Sequence, residues 1–370
     1  MRNGSWWKAG LGIGFAAGIV LGCTFADDEI PRVELPRMDV NAPAEKRRAT
    51  PWRYARVGEW EVLAEVADTK ARSLLTELRK FDHALRIIQP RLVGGAAAPL
   101  ALLLAGESEY QAIAGPAAAG QPREFSALRQ IGGRPSIVVN TAAEFDLIES
   151  DIGANTIDVY RQLDRQYLQY AFAAHQAQLP AWIEEGLAQT LADVEFGGAW
   201  VAYGKVETEK NMPSGGQPEP VVIPDFLAPN PALAGLSFKQ VFAHRSFMPL
   251  GEFFAARRAD GSAPSPDSAW AKQAYALVHF CLFGNKLRYQ QPLATLATRL
   301  KTEPMSEALF KECFGIGYAK MEKELRGYLY HTRLKYQRYP LKPEDRLKPE
   351  PIDFRVATET EIVRLTGIER

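Results

Sequence analysis

The sequence predicts an α+β fold, with a small mixed-sheet N-terminal unit followed by a mostly helical region. Two observations predict this class. Between residues 52 and 141 short apolar runs typical of strands alternate with helical patterns, whereas beyond residue 156 nearly every apolar pattern has helical spacing. The chain has 370 residues, enough for one large domain or two ordinary ones with a full hydrophobic core.

The N-terminal unit contains three predicted strands and two predicted helices. In the first strand Trp60, Val62 and Ala64 alternate with glutamates, as expected when only one face of a strand is buried. The other predicted elements are a helix at 69–88, a buried strand at 99–104, a short helix at 108–113 and a strand at 134–141.

Amphipathic helices dominate the second half. Along residues 156–176 apolar side chains such as Leu163 and Tyr167 fall on one stripe, and Pro180 then restarts the chain. The next predicted elements are a helix at 181–194, a hairpin around 200–203 and a long loop at 205–235. Further helices are predicted near 237–242, 248–257, 268–284, 289–300, 305–313 and 317–335, with a last short amphipathic segment at 359–366.

The first residues have the pattern of an export leader. Arg2 and Lys8 precede an apolar stretch at 9–22, which is short for a membrane span. The sequence Val-Leu-Gly-Cys ending at Cys23 resembles a bacterial lipobox and predicts lipidation of that cysteine. Cleavage after Ala26 and retention of the leader as an anchor are the alternatives. Each cleaved form is expected outside the cytoplasm, as a periplasmic protein or a membrane-anchored lipoprotein.

Charge and cysteine usage restrict the partners. Lys plus Arg equal Asp plus Glu at 44 each, so the chain lacks the basic excess typical of nucleic-acid-binding proteins. Contact with a membrane is expected only through the leader or its lipid. Cys281 and Cys313 are expected to be buried free thiols, although their spacing leaves a disulfide open.

These patterns divide the chain into five predicted regions. They are a leader at 1–26, a tether at 27–50, an N-terminal α+β subdomain at 51–150, a helical subdomain at 151–335 and a C-terminal tail at 336–370.

The run from Leu179 to Gln189, Leu-Pro-Ala-Trp-Ile-Glu-Glu-Gly-Leu-Ala-Gln, resembles the third-ligand helix of gluzincin zinc peptidases in the peptidase-MA-like family. A helix at 274–278 and a pattern from Ala308 to Gly315 are also similar to that family. Gluzincins bind Zn²⁺ through two histidines four residues apart on the preceding helix, and a glutamate beside the first histidine deprotonates the zinc-bound water.

The resemblance places Glu185 at the third ligand, Arg165 at the first histidine, Gln166 at the general base and Gln169 at the second histidine. A guanidinium repels cations, and glutamine is neither a base nor a good zinc ligand. No His-x-x-x-His occurs in the chain. Tyr275 corresponds to a transition-state donor of related enzymes, although a core tyrosine is the alternative. The resemblance therefore implies a degenerate site.

From this we expect a metal-free pseudopeptidase without a cofactor, which binds a peptide or another envelope protein. One alternative is an active zinc metallopeptidase with a non-standard ligand set, built on Glu185 with His175 as a further candidate ligand. Another is a structural lipoprotein without a functional cleft. A further hypothesis is that Arg165 pairs with Glu185 in place of the metal, the alternative being an exposed Glu185.

Overall fold

Nine strands form two sheets among the residues that the computed structural model describes. Their bounds are β1 Arg53–Val57, β2 Trp60–Ala64, β3 Ala101–Ala105, β4 Ser126–Ile131, β5 Arg134–Asn140, β6 Glu195–Gly197, β7 Trp200–Tyr203, β8 Gln337–Pro340 and β9 Arg355–Val356. The larger sheet has the order β4-β5-β3-β2-β1-β9, and the smaller has the order β6-β7-β8. β3 pairs in parallel with β2 and β5, and the other neighbours are antiparallel.

Eleven α-helices lie in the part of the chain that the structure describes. Their bounds are α1 Asp68–Ile88, α2 Glu107–Ala114, α3 Thr156–Ala173, α4 Ala181–Leu191, α5 Phe238–Phe242, α6 Leu250–Ala255, α7 Ala269–Phe283, α8 Gln290–Arg299, α9 Glu307–Phe314, α10 Tyr318–Leu329 and α11 Glu359–Thr366. The chain is thus α+β, with a mixed sheet in its N-terminal part and a helical C-terminal region, as predicted.

The structure describes residues 51–88, 90, 99–115, 125–142, 156–173, 179–192, 194–197, 199–206, 223, 225–233, 236–243, 245–258, 261, 264–265, 268–330, 334, 336–348 and 351–368. All of them belong to one compact unit that spans residues 49–370. The predicted lipidation site Cys23, the alternative cleavage site at Ala26 and His175 lie outside these residues.

Helices cover both faces of the larger sheet. In β3, Leu102 and Leu104 join the main core, which also contains side chains of α1 and α3. Leu103, between them, joins a second core with Tyr110 of α2 and Leu365 of α11. Adjacent strand residues point to opposite faces, so a central strand buried on both faces is apolar throughout. This explains the continuous apolar run at 99–104.

The C-terminal segment is part of the fold. The helix Glu359–Thr366 has the predicted bounds, and a capping box of Thr358 and Glu361 satisfies its first turn. Before it, β9 pairs with β1, and Arg53 donates to the Phe354 carbonyl oxygen at 2.8 Å. Farther upstream, β8 pairs with β7. The segment thus completes two sheets.

Four strands, β1, β4, β8 and β9, were missed by the sequence patterns, and one helix was predicted clearly too long. The sequence Arg-Tyr-Ala-Arg-Val of β1 and the half-polar β4 both alternate weakly. Each of these two strands is stabilised by antiparallel pairing with the strand that follows it in the chain, β1 with β2 and β4 with β5. The helix predicted at 317–335 ends at Leu329, after which Tyr330 is exposed.

Helices α4 and α7 form the centre of the helical region. Every residue of α7, and every residue of α4 from Trp182 onward, is buried. A Cβ atom at Gly186 of α4 would lie 2.3 Å from Val278 Cγ2 and 2.7 Å from the Ala274 carbonyl oxygen. Only glycine allows this close approach, because a methyl group would overlap the backbone of α7.

We predict opposite effects for two glycine-to-alanine substitutions in helices. G186A should lower the free energy of unfolding by about 2 kcal/mol or more, because overpacking outweighs the higher helix propensity of alanine. G327A in α10 should raise it by about 0.5–1 kcal/mol, because nothing lies within 4 Å of an added Cβ. Urea denaturation of both variants measures the difference. A G186A protein as stable as G327A would contradict the close α4–α7 contact.

Candidate functional site

The site suggested by the sequence lies between α3 and α4. Arg165 and Gln169 are one helical turn apart on α3, so both side chains point towards α4. Arg165 Nε donates to Glu185 Oε2 at 2.7 Å, and Gln169 Nε2 donates to Glu184 Oε2 at 3.3 Å. The structure therefore brings together three of the predicted positions, Arg165, Gln169 and Glu185.

The ion pair of Arg165 and Glu185 is largely buried. Its side chains are 13% and 5% exposed, and Arg165 Nη2 also lies 2.6 Å from Glu185 Oε2. Nε and Nη2 both approach Oε2, so the guanidinium contacts one carboxylate oxygen rather than two, and the Nη2 contact lacks hydrogen-bond geometry. Glu185 Oε1 accepts a hydrogen bond from Gln189, which also donates to the Ala271 carbonyl oxygen of α7. Glu185 is thus not an exposed helix residue.

Gln166, at the predicted general-base position, contacts the sheet instead. Its Oε1 accepts a hydrogen bond from the Leu128 N–H of β4 at 2.9 Å. One turn earlier, Gln162 Oε1 accepts from the Phe125 N–H at 2.9 Å. β4 is an edge strand, and edge strands carry N–H groups that need partners. The two glutamines therefore attach α3 to this edge.

Tyr275, which the resemblance places at the position of a transition-state donor, is 8% exposed on α7. Its ring meets Phe238 of α5 edge to face at 4.7 Å and lies 5.8 Å from the ring of His279. His279 is fully buried; its Nε2 contacts the Gly204 carbonyl oxygen, and its Nδ1 accepts from Tyr328 Oη. These contacts agree with the core-tyrosine alternative.

The residues at the predicted zinc position do not fit the metal. The Arg165 guanidinium lies against the Glu185 carboxylate, and the Gln166 oxygen already accepts from a backbone N–H. Within the described ranges no group of three His, Cys, Asp or Glu side chains could hold a metal ion. Cys281 and Cys313 are free, the first buried and the second half-buried.

Glu184 is the ionisable group of the site that the sequence did not single out. It is 8% exposed, and burial raises the pKa of its carboxyl group to about 7. The negative charge of Glu185 raises it further, whereas the hydrogen bond from Gln169 and the charge of Arg165 lower it. The adjacent glutamates of the motif were visible in the sequence, but the burial of both was not.

None of the protein-family models matches this chain, and no curated protein matches it significantly. The resemblance to the peptidase-MA-like family therefore remains a prediction from the quoted residues. No helix among the described residues is sufficiently long and apolar to cross a membrane.

We predict that E185Q destabilises the fold by about 3 kcal/mol or more, because Arg165 would keep its buried charge without a counter-ion. The double variant R165M/E185L removes both charges and should be clearly more stable than E185Q. Chemical denaturation at neutral pH compares the three proteins. An unchanged unfolding midpoint for E185Q would show that the ion pair contributes nothing.

We predict that E184Q removes a pH dependence of stability. The pKa of about 7 in the folded chain lies above the ordinary glutamate pKa of 4.5, so the folded state binds this proton more tightly than the unfolded state. This contribution is complete below pH 4.5 and is lost as the pH rises through about 7. The pKa difference corresponds to about 3 kcal/mol.

Unfolding free energies of E184Q and the parent chain should be measured from about pH 4.5 to 8.5. The difference should shift in favour of E184Q as the pH rises. The difference between the two unfolding free energies removes the contribution of titrating groups that both proteins share. One such group is His279, whose pKa is lowered to about 4 by burial. A constant difference would mean that Glu184 titrates normally.

Proposed function

We propose that this chain is an exported, non-catalytic protein with a zinc-peptidase-like scaffold, which binds a peptide or another protein of the cell envelope. One observation carries the proposal: the guanidinium of Arg165 lies 2.6–2.7 Å from the Glu185 carboxylate. This carboxylate is the one retained ligand position of the resemblance.

The exchange of a metal ion for a guanidinium keeps the positive charge but not the chemistry. A zinc ion polarises a carbonyl group and lowers the pKa of a bound water to about 7. A guanidinium has no open coordination position and stays protonated, so it stabilises the carboxylate without generating a nucleophile. Gln166, at the base position, cannot accept a proton from water. The helix pair is thus suited to hold the scaffold together.

A second candidate, a hydrolase with a non-standard residue set, is favoured by one observation. The Glu184 carboxyl group has a pKa of about 7, which suits a general acid or base at neutral pH. Its carboxylate is nevertheless buried beside Gln169 and Arg165, and burial alone explains the raised pKa. Export is supported by the predicted leader, with lipidation at Cys23 or cleavage after Ala26.

Zinc content and hydrolysis test the proposal together. The purified chain, dialysed without added metal, should contain far less than one zinc per molecule by elemental analysis. It should also cleave a quenched-fluorescent peptide library no faster than E184Q does, with or without added Zn²⁺. Stoichiometric zinc with chelator-sensitive cleavage, or cleavage abolished by E184Q, would refute a non-catalytic role.

A restored-site variant tests the scaffold itself. R165H/Q166E/Q169H places two histidines four residues apart on the side of α3 that faces Glu185. If the helices have the geometry of a zinc peptidase, this variant should bind about one Zn²⁺. The same triple variant with E185Q should bind zinc more weakly. Equal binding by both would show that Glu185 is not placed as a third ligand.

A further inference from the structure

A groove on the helical region lies outside the α3–α4 site. It has a volume of about 650 Å³ and is formed by α5, the segment that follows α5, and the C-terminal end of α10. Its lining residues are Lys239, Phe242, Ala243, Arg245, Ser246, Phe247, Arg326, Leu329 and Tyr330. Its volume lies in the range of sites that enclose a few side chains or a small molecule.

The described lining of the groove is positively charged. Lys239, Arg245 and Arg326 contribute three cations, and no acidic side chain is among the lining residues. Arg245 and Arg326 form no ion pair with any described carboxylate. Glu322, one turn before Arg326, instead accepts a hydrogen bond from the Leu250 N–H at 2.7 Å. Arg245 and Arg326 therefore offer positive charge that the described carboxylates do not neutralise.

Apolar and aromatic side chains lie beside these cations. Phe242 and Phe247 pack with their ring centroids 4.6 Å apart and are 4% and 7% exposed. Leu329 continues this surface, and Tyr330 is 75% exposed. An exposed tyrosine beside apolar side chains is typical of residues that contribute strongly to binding interfaces.

The helices that carry the groove are held firmly. A capping box of Ser237 and Gln240 satisfies the first turn of α5, and Phe238 packs against Tyr275 of α7. On α10, the Tyr328 hydroxyl contacts His279, also on α7, at 2.9 Å. Because both walls are attached to one buried helix, little ordering of the groove is required on binding.

We propose that this groove binds an acidic peptide segment in which an aromatic or aliphatic side chain is flanked by carboxylates. The apolar side chain would contact Phe242, Phe247 and Tyr330, and the carboxylates would pair with Arg245 and Arg326. A concave groove favours a peptide over the flat surface of an anionic membrane. This proposal rests on the binding role proposed above and names its partner class, but it does not require the family resemblance.

Fluorescence anisotropy tests this with a fluorescein-labelled hexapeptide mixture. Each peptide has four Asp or Glu residues around two central positions, which vary among Phe, Tyr, Trp and Leu. The full chain should bind with a Kd below about 100 µM, more weakly at higher salt. R245E/R326E should weaken binding at least about tenfold. The matched control R346E/K348E changes the net charge equally at two exposed positions and should bind like the parent chain.

Further variants separate the apolar contribution from the charge. Y330A removes an exposed ring, so it should weaken binding about three- to tenfold without changing the unfolding midpoint. A second peptide mixture, with Gln and Asn in place of Glu and Asp, should not bind. Equal affinity for the neutral mixture would overturn the electrostatic basis of the proposal.

The remaining outcomes also decide the question. No saturable binding of the acidic mixture by the parent chain would overturn the groove proposal. Binding of the acidic mixture that R245E/R326E leaves unchanged would also overturn the groove proposal. Such binding would still agree with the proposed non-catalytic role. Arg245- and Arg326-dependent binding of vesicles containing phosphatidylserine, without peptide binding, would identify a membrane surface instead. Zinc-dependent cleavage would refute the non-catalytic role and leave these binding results unaffected.

Discussion

The close contact between α4 and α7 at Gly186 is the constraint on which the rest of the helical region depends. With no side chain at this position, Val278 and the Ala274 carbonyl group approach the backbone of α4 directly. Both helices are buried along nearly their whole length, and their close contact determines which face of α4 meets α3. On its other sides, α7 contacts α5 and α10 through aromatic side chains and His279.

Burial of two adjacent glutamates beside one arginine explains the electrostatics of the α3–α4 site. Arg165 contacts Glu185, whereas the neighbouring Glu184 accepts a hydrogen bond from the neutral amide of Gln169. A carboxylate without a counter-ion is costly in a low-dielectric interior, so the pKa of Glu184 rises to about 7. The same arrangement stabilises one charge and favours the neutral form of the other.

The helical region therefore presents two different polar features. The α3–α4 site is directed inward, and Arg165 and Glu185 pair with each other, which suits a structural role. The groove between α5 and α10 is directed outward and carries two arginines, Arg245 and Arg326, that form no ion pair with a described carboxylate. A binding function is thus better supported at the groove than at the predicted catalytic position, although both depend on the placement of α7.

The sequence by itself determined the fold class and most helix positions. Periodicity is sufficient for this, because the spacing of apolar residues shows which face of a segment is buried. The residues of the α3–α4 site were singled out by a resemblance, which stays a prediction. Only the tertiary structure decided what each face contacts: Arg165 with Glu185, Gln166 with the edge of β4, and β9 with β1. These partners are far apart in the sequence, and the raised pKa of Glu184 follows from the packing around it. Local pattern carries information about burial, whereas charge pairing and edge-strand contacts arise only when separate segments meet.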